Sequence, residues 1–458
     1  MNITLPSRYD FLSRFLKLAI ANVLSYIMVP LAGTISVAFL GHLTDIHYLA
    51  GVTLSTSLFS YIYSIVSFLR MGTTGVTAQA KGRDDREEML LVALRNGLIA
   101  LGIGGLILIL QYPLQQLWFA IVSATPEVKV SGIDYFNARI WGAPAVVINF
   151  VLIGWLLGRE QSGKVLLMSV VGNAANIVFD YLFIVHWHWA STGAGLAQAI
   201  SQYLMLVLGA ILASRDIEWK EVRTAAGKLW DTRAFKATFT LNGNIFVRSL
   251  ANMTAAIIFI NLSSTMGTTI LAETALIVQV VLLGSYCFES IGFATETLTG
   301  NFKGKEAHER LLPLLQVVVL SSFLVGLSWA GVCVLFPQTI FGVFTDHTEL
   351  IELLKIHVAW LLPLLGFSSV FLVLDGYFAG LAQGEALRNT ALVGFVLGFT
   401  PLAFAAWYLH SSHMLWLSFS VFFATKVVVL GVQVPSTLKD EPAAIAGQLP
   451  DLQEAEVD

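Results

Sequence analysis

The sequence predicts an all-α, polytopic membrane protein: twelve transmembrane helices in two six-helix lobes, related by a pseudo-two-fold axis along the membrane normal. Three observations carry this. Hydrophobic residues make up 56% of the 458 and charged residues 12%, against about 25% charged in soluble domains. Twelve apolar runs reach the ~20 residues that a bilayer-spanning helix needs. The chain also repeats itself at an offset of 222 residues. Thr77, Lys81, Gly82 and Glu87 recur as Thr299, Lys303, Gly304 and Glu309, and Arg83-Asp84 becomes Lys305-Glu306. Gly154, Gly158, Gln161, Val171 and Gly172 recur as Gly376, Gly380, Gln383, Val393 and Gly394. A shared offset near half the chain length means two copies of one unit, and in so apolar a chain that architecture points to a transporter working between its halves.

In order, the runs are 15–43, 48–80, 88–120, 127–158, 163–187, 190–214, 238–266, 269–303, 310–336, 347–382, 386–410 and 413–437. The first has a basic flank (Arg8, Arg14, Lys17) but is too long for a signal-peptide core, so it reads as a retained span. The second and eighth are long, with polar last thirds that project beyond the hydrocarbon. The domain plan is an N-terminal lobe (1–214), a polar linker (215–237), a C-terminal lobe (238–437) and a disordered acidic tail (438–458). Cys287 and Cys333 lie in apolar stretches, so neither a disulfide framework nor a metal cage is expected.

Charge placement gives orientation. With the N-terminus inside, inner segments hold nineteen Lys and Arg against Lys129 outside, so both termini are expected in the cytoplasm. Six spans per half leave both halves in the same orientation. This puts the relating axis along the membrane normal.

Charged side chains at mid-membrane cost about 2.5–3.5 kcal/mol by insertion scales, so those present need a reason. Asp180 sits deep in span five, and Asn176 lies four residues before it on the same helix face. Together they form a candidate ion-coupling patch; the alternative is a hydrogen-bonded acid that ties helices together. In the second half, Glu289 and Glu296 on span eight share a stripe, and Asp375 on span ten precedes Gly376. All three are candidate coupling or substrate groups. Their alternative roles are a solvated Glu296 near a cytoplasmic end, and a packing anchor between Asp375 and Arg388. Arg70, Arg139 and Arg248 read as internal counter-charges or as groups that snorkel. Pro30, Pro144, Pro363 and Pro401 fall within spans and favour kinks. Pro30, followed by Gly33, Thr34 and Ser36, is the candidate gating position.

Two motifs are decoys. Gly158 to Val165 nearly matches a phosphate-binding loop but lacks the metal-ligating hydroxyl and a preceding strand. His186-Trp187-His188-Trp189 sits where tryptophan anchors a membrane interface.

Phe68-Leu69-Arg70-Met71-Gly72-Thr73-Thr74-Gly75-Val76-Thr77-Ala78-Gln79-Ala80 resembles a signature of the multidrug and toxic compound extrusion (MATE) family, in the branch named for the DNA-damage-inducible F protein. Arg139 to Pro144, Gly154 to Gly158, and Asp375 to Gly380 with Arg388-Asn389 fit that branch too. The resemblance covers about residues 10–437. It implies two six-helix lobes forming a V around a central cavity, and export of organic, often cationic and amphiphilic, compounds in exchange for H⁺ or Na⁺. It maps the family's N-lobe Asn and Asp onto Asn176 and Asp180, and a polar span-six position near Gln198. Ser36 departs from the pattern, standing where the branch usually has an Asp on span one. A serine hydroxyl neither takes up nor releases a proton at physiological pH, so Asp180 acts alone with Asn176, or coupling has moved to the C-lobe acids, or the protein is weakly coupled. Ser36, Asn176 and Asp180 also offer some of the oxygens a Na⁺ would need; H⁺ is favoured.

The expected function is therefore an ion-coupled exporter of small organic compounds in the plasma (inner) membrane. It is no enzyme, has no cofactor beyond H⁺ or Na⁺, does not bind nucleic acid and is monomeric in the lipid bilayer. A flippase of lipids or lipid-linked saccharides is the alternative, disfavoured by the scarcity of intramembrane arginine. A receptor without turnover is the third reading.

Overall fold

A computed structural model describes residues 9–345 and 347–438. The acidic tail and Arg8 of the basic flank lie outside the described residues. Nearly all described residues are helical and no strand occurs among them. Among the described residues, twelve helices are long and apolar enough to cross a membrane. They are α1 Leu12–Gly41, α2 Ile46–Gly82, α3 Arg86–Ile109, α4 Pro126–Gly158, α5 Ser162–His186 and α6 Ala190–Ser214. The second six are α7 Thr232–Thr265, α8 Thr268–Gly304, α9 His308–Leu335, α10 Leu361–Gly380, α11 Gly384–Leu409 and α12 Ser412–Thr437. Large apolar side chains such as Ile109, Val178, Leu397 and Val432 are more than 60% exposed. Exposure on that scale is the mark of helices meeting lipid rather than water. The protein is a multi-pass membrane protein.

α2 and α8 are 37 residues each, as the long second and eighth runs predict. Two runs are broken instead. The third ends at Ile109, and a separate helix Gln111–Ile121 follows. The tenth divides into Thr348–Val358 and α10, which puts Lys355 at the same end of the bundle as the loop before α12. The linker holds a short helix, Trp219–Gly227, and α7 starts inside it, at Thr232 rather than 238. Pro30 lies within an unbroken α1. Pro144 and Pro401 sit just past irregular turns, 3₁₀ at Ile140–Gly142 and π at Gly394–Phe399. Both prolines mark places where the regular ladder has already given way.

The repeat is a structural two-fold. A Cβ on Gly154 would meet the Arg70 carbonyl at 2.5 Å, and one on Gly376 would meet the Gly292 carbonyl at 2.3 Å. Gly158 packs on Thr74 and Thr77; Gly380 packs on Glu296 and Thr299. Each of these contacts maps onto its partner by the same 222 residues. Left-handed turn residues pair likewise: Asp84 with Glu306 (both φ 57°), Glu160 with Ala382 (61° and 58°), and His188 with His410 (56° and 49°). Such conformations are uncommon for residues with a Cβ, so their coincidence reflects one inherited fold.

The axis emerges where equivalent residues touch. A Cβ on Gly82 would lie 2.8 Å from the Gly304 Cα, and one on Gly304 would lie 2.9 Å from the Gly82 Cα. Around this charged end of the bundle the halves are joined. Gln79 Nε2 donates to the Gly380 carbonyl (2.8 Å), Arg14 reaches Asn301 (3.3 Å) and Asp10 pairs with Arg310 (3.1 Å). At the same end Phe11 packs on Phe302, and toward the middle of the bundle the seam is aromatic: Phe68 on Phe246, Tyr26 on Phe293 and Tyr286. Beyond Tyr26, α1 turns to its own half. Its Ser36 and Phe39 contact α5, at Asp180 and Tyr181.

Candidate functional site

The first polar site lies wholly in the N-terminal half, between α1, α5 and α6. Asp180 is fully buried at the last α-helical residue of α5, where the ladder widens into a π turn over Tyr181–His186. Such turns are frequent at functional sites. The Ser36 hydroxyl, on α1, donates to Asp180 Oδ2. It also lies 3.1 Å from the Ala32 carbonyl, the other acceptor within its reach. Asp180 Oδ1 has no hydrogen-bond partner. One turn earlier Asn176 is also buried; its Oδ1 accepts from Gln198 Nε2 on α6 (3.0 Å), and its amide nitrogen is unpartnered. A buried carboxylate oxygen and a buried amide nitrogen without partners are costly; the oxygen can accept a proton, a cation or a hydrogen bond, whereas the amide nitrogen can only donate. The three residues singled out from sequence do meet on adjoining helices, and Gln198 joins them.

The second site is in the C-terminal half. Asp375 on α10 forms a two-pronged pair with Arg248 on α7, with Arg248 Nε to Oδ1 at 2.7 Å and Nη2 to Oδ2. The anchor is therefore Arg248, not Arg388. Arg388 lies one short loop further on and bonds Asn244 (2.9 Å) and Asn389. The bidentate fork suits a guanidinium. One turn along α7 from Arg248, Asn252 accepts from Lys426 Nζ (2.9 Å), and Lys426 is buried beneath Phe371 at 3.5 Å. Sequence reasoning missed Lys426. A lone lysine in the middle of the last apolar run was the available signal.

The third group straddles the seam. Glu296 is fully buried and neither oxygen has a hydrogen-bond partner. Solvation at a charged end does not describe it, because the Gly75 and Gly380 backbones pack against that part of α8. Its nearest cation is Arg70 of the other half, Nη1 to Oε2 at 3.8 Å. Glu289, seven residues before it, is half-buried. Arg139 donates to the Tyr135 hydroxyl (2.7 Å) and stacks over Phe59 at 4.5 Å.

Twelve helices in two equivalent halves, with buried acids inside each half and on the seam, define a two-fold membrane transporter. The MatE family model matches residues 22–182 and 245–404, two stretches set apart by the spacing of the repeat. The chain belongs to the MATE family, a family of membrane transporters rather than enzymes. It is 30% identical over 417 residues to DNA damage-inducible protein F of Escherichia coli (strain K12), covering 89% of both chains. It is 23% identical to the probable multidrug resistance protein NorM of Thermotoga maritima, over 81% of this chain and 79% of that one. Among solved structures, an outward-facing multidrug resistance MATE family transporter of the MOP superfamily superposes with a TM-score of 0.84 at 20% identity, covering 94% of this chain and 98% of that one.

Proposed function

We propose that the protein is a secondary antiporter. It exports small organic, often cationic and amphiphilic, compounds in exchange for H⁺, or Na⁺, by alternating access. The single observation that carries this is Asp180, a fully buried carboxylate held by Ser36 with its other oxygen unpartnered. It sits at the α-to-π transition of a helix in contact with α1. A carboxyl so placed takes up or releases an ion when α1 moves, which is the differential interaction that coupling requires. Ser36 contributes a hydroxyl and no charge, so a single carboxylate carries the exchange, with Asn176 and Gln198 completing the polar lining. The basic loops at the joined end support a cytoplasmic placement of both termini. In that orientation the halves are shut toward the cytoplasm.

Proteoliposome efflux of a panel of cationic dyes, with ΔpH and ΔNa⁺ imposed separately, tests the reading. Asp180→Asn should abolish gradient-driven efflux while leaving the amount of protein in the membrane unchanged. Undiminished efflux removes Asp180 from the mechanism. A lipid flippase is the weaker reading, because Arg70, Arg248 and Lys426 are each turned to an acid, an amide or a ring and leave no free basic cradle for phosphate.

A further inference from the structure

Arg70 is placed as a guest rather than as a partner. Its guanidinium carbon lies 3.5 Å from the Phe293 ring centroid, and Nη1 stands 3.8 Å from Glu296. Neither Nη1 nor either oxygen of Glu296 makes a hydrogen bond, although all three atoms are buried. An ion pair evolved for stability satisfies its protons and lone pairs; a buried pair that does not is weak evidence for a structural role. The Asp375–Arg248 fork, a few turns away, shows the optimised alternative in the same protein. What surrounds the Arg70 head is instead an aromatic face with a carboxylate behind it. Phe293 lies beneath it, Tyr26 lies 5.1 Å from Phe293 and 6.2 Å from Tyr286, and Glu289 is on the same stripe of α8. An aromatic face backed by an acid is a general receptor for a delocalised or quaternary cation.

The two components come from opposite halves. Phe293, Glu296 and Glu289 belong to α8, whereas Arg70 reaches them from α2 across the seam. The Tyr26 ring comes from α1, in the same half as Arg70. Any separation of the halves at the charged end would take Arg70 and Tyr26 away from α8 together.

We propose that Phe293, Tyr286 and Glu296, all on α8, form a binding subsite for a delocalised organic cation, and that Arg70 is its built-in competitor. Arg70 fills the subsite when the seam is shut and leaves it when the seam opens. In each cycle the returning guanidinium expels the cargo from the acid and ring that held it. The inference rests on the antiport reading for its substrate class; its occupancy mechanism is separate.

The test is equilibrium binding of tetraphenylphosphonium and ethidium to purified full-length protein, by tryptophan quenching and dye anisotropy. Arg70→Gln vacates the subsite without adding charge and should lower Kd about tenfold. Glu296→Gln, and the double variant Arg70→Gln/Glu296→Gln, should raise it above wild type. Millimolar guanidinium ion should compete with the dye in Arg70→Gln and not in the double variant. A Kd in folded Arg70→Gln equal to or weaker than that of wild type overturns the competitor role, and guanidinium without effect there overturns the subsite. If Arg70→Gln fails to fold, Arg70→Lys serves: its compact ammonium stacks less well on Phe293, so its Kd should fall below that of wild type, and an unchanged Kd counts against the proposal. Binding needs no gradient, so loss of coupled efflux with the Kd order intact condemns the antiport reading alone. Absence of any cation binding removes both.

Discussion

At the residue scale, the decisive question about each acid is what its neighbours let it do. Asp180 has one hydrogen-bond donor among the described residues, the Ser36 hydroxyl. Ser36→Ala removes it and leaves a buried carboxylate less well held, at a cost of about 1–3 kcal/mol. The expected outcome is a lower thermal midpoint with ΔpH-driven efflux retained, read by differential scanning fluorimetry and dye transport; loss of efflux at an unchanged midpoint would make Ser36 a direct ion ligand instead. Asp375 is different, because both its oxygens are occupied by Arg248. Asp375→Ala strands a largely buried guanidinium and should destabilise by up to about 3–5 kcal/mol, whereas replacing both partners, Arg248→Met with Asp375→Leu, should cost much less. A double-mutant thermal cycle measures the difference, and additive losses would show that the pair does not act as a unit.

At the element scale, the two halves rest on helices packed so closely that glycine is required. Gly376 faces the Gly292 backbone and Gly154 faces that of Arg70, with less room at each than a Cβ needs. Gly376→Ala and Gly154→Ala must push backbone against backbone, and overpacking of this kind costs about 1–3 kcal/mol. Gly33, on α1, has no atom within 4 Å of where its Cβ would stand. Gly33→Ala should therefore be neutral or stabilising by up to about 1 kcal/mol. Thermal midpoints of the three variants, compared side by side, check the ranking. Pro30 belongs to this scale as well. It lies inside a continuous α1, and Ser36 lies beyond it on the segment that turns from the seam toward α5. A bend at Pro30 would therefore move Ser36 relative to Asp180, which ties the candidate gating position to the proposed coupling site.

At the scale of the whole molecule, the joined charged end and the aromatic seam hold one arrangement of the halves. Asp10 and Arg310 face each other across it at 3.1 Å, both accessible to solvent. Cysteines introduced there (Asp10→Cys with Arg310→Cys, and Cys287→Ala with Cys333→Ala to remove the native thiols) and joined by a short thiol-reactive linker should lock this end. Efflux should then stop and resume on reduction of a cleavable linker. Continued transport in fully cross-linked protein would mean that the halves do not part at this end.

Much of this was legible in the chain, and the legible part follows a physical rule. A bilayer obliges every spanning helix to satisfy its own backbone and to be apolar over a fixed length, so span number and the linker could be counted. Duplication leaves the same helix-packing glycines and several of the same charged loop residues in both halves, so the two-fold could be read as an offset. Asp180 and Asn176 stood out because helical spacing puts i and i+4 on one face, and Ser36 because it broke a pattern. Pairing between distant helices has no such local rule. Only the tertiary structure gave Asp375 to Arg248 rather than Arg388, hid Lys426 under Phe371, and set Arg70 of one half over Phe293 of the other. Those choices depend on which helix faces touch, and in lipid that is decided by close packing of small residues rather than by any periodicity along the chain.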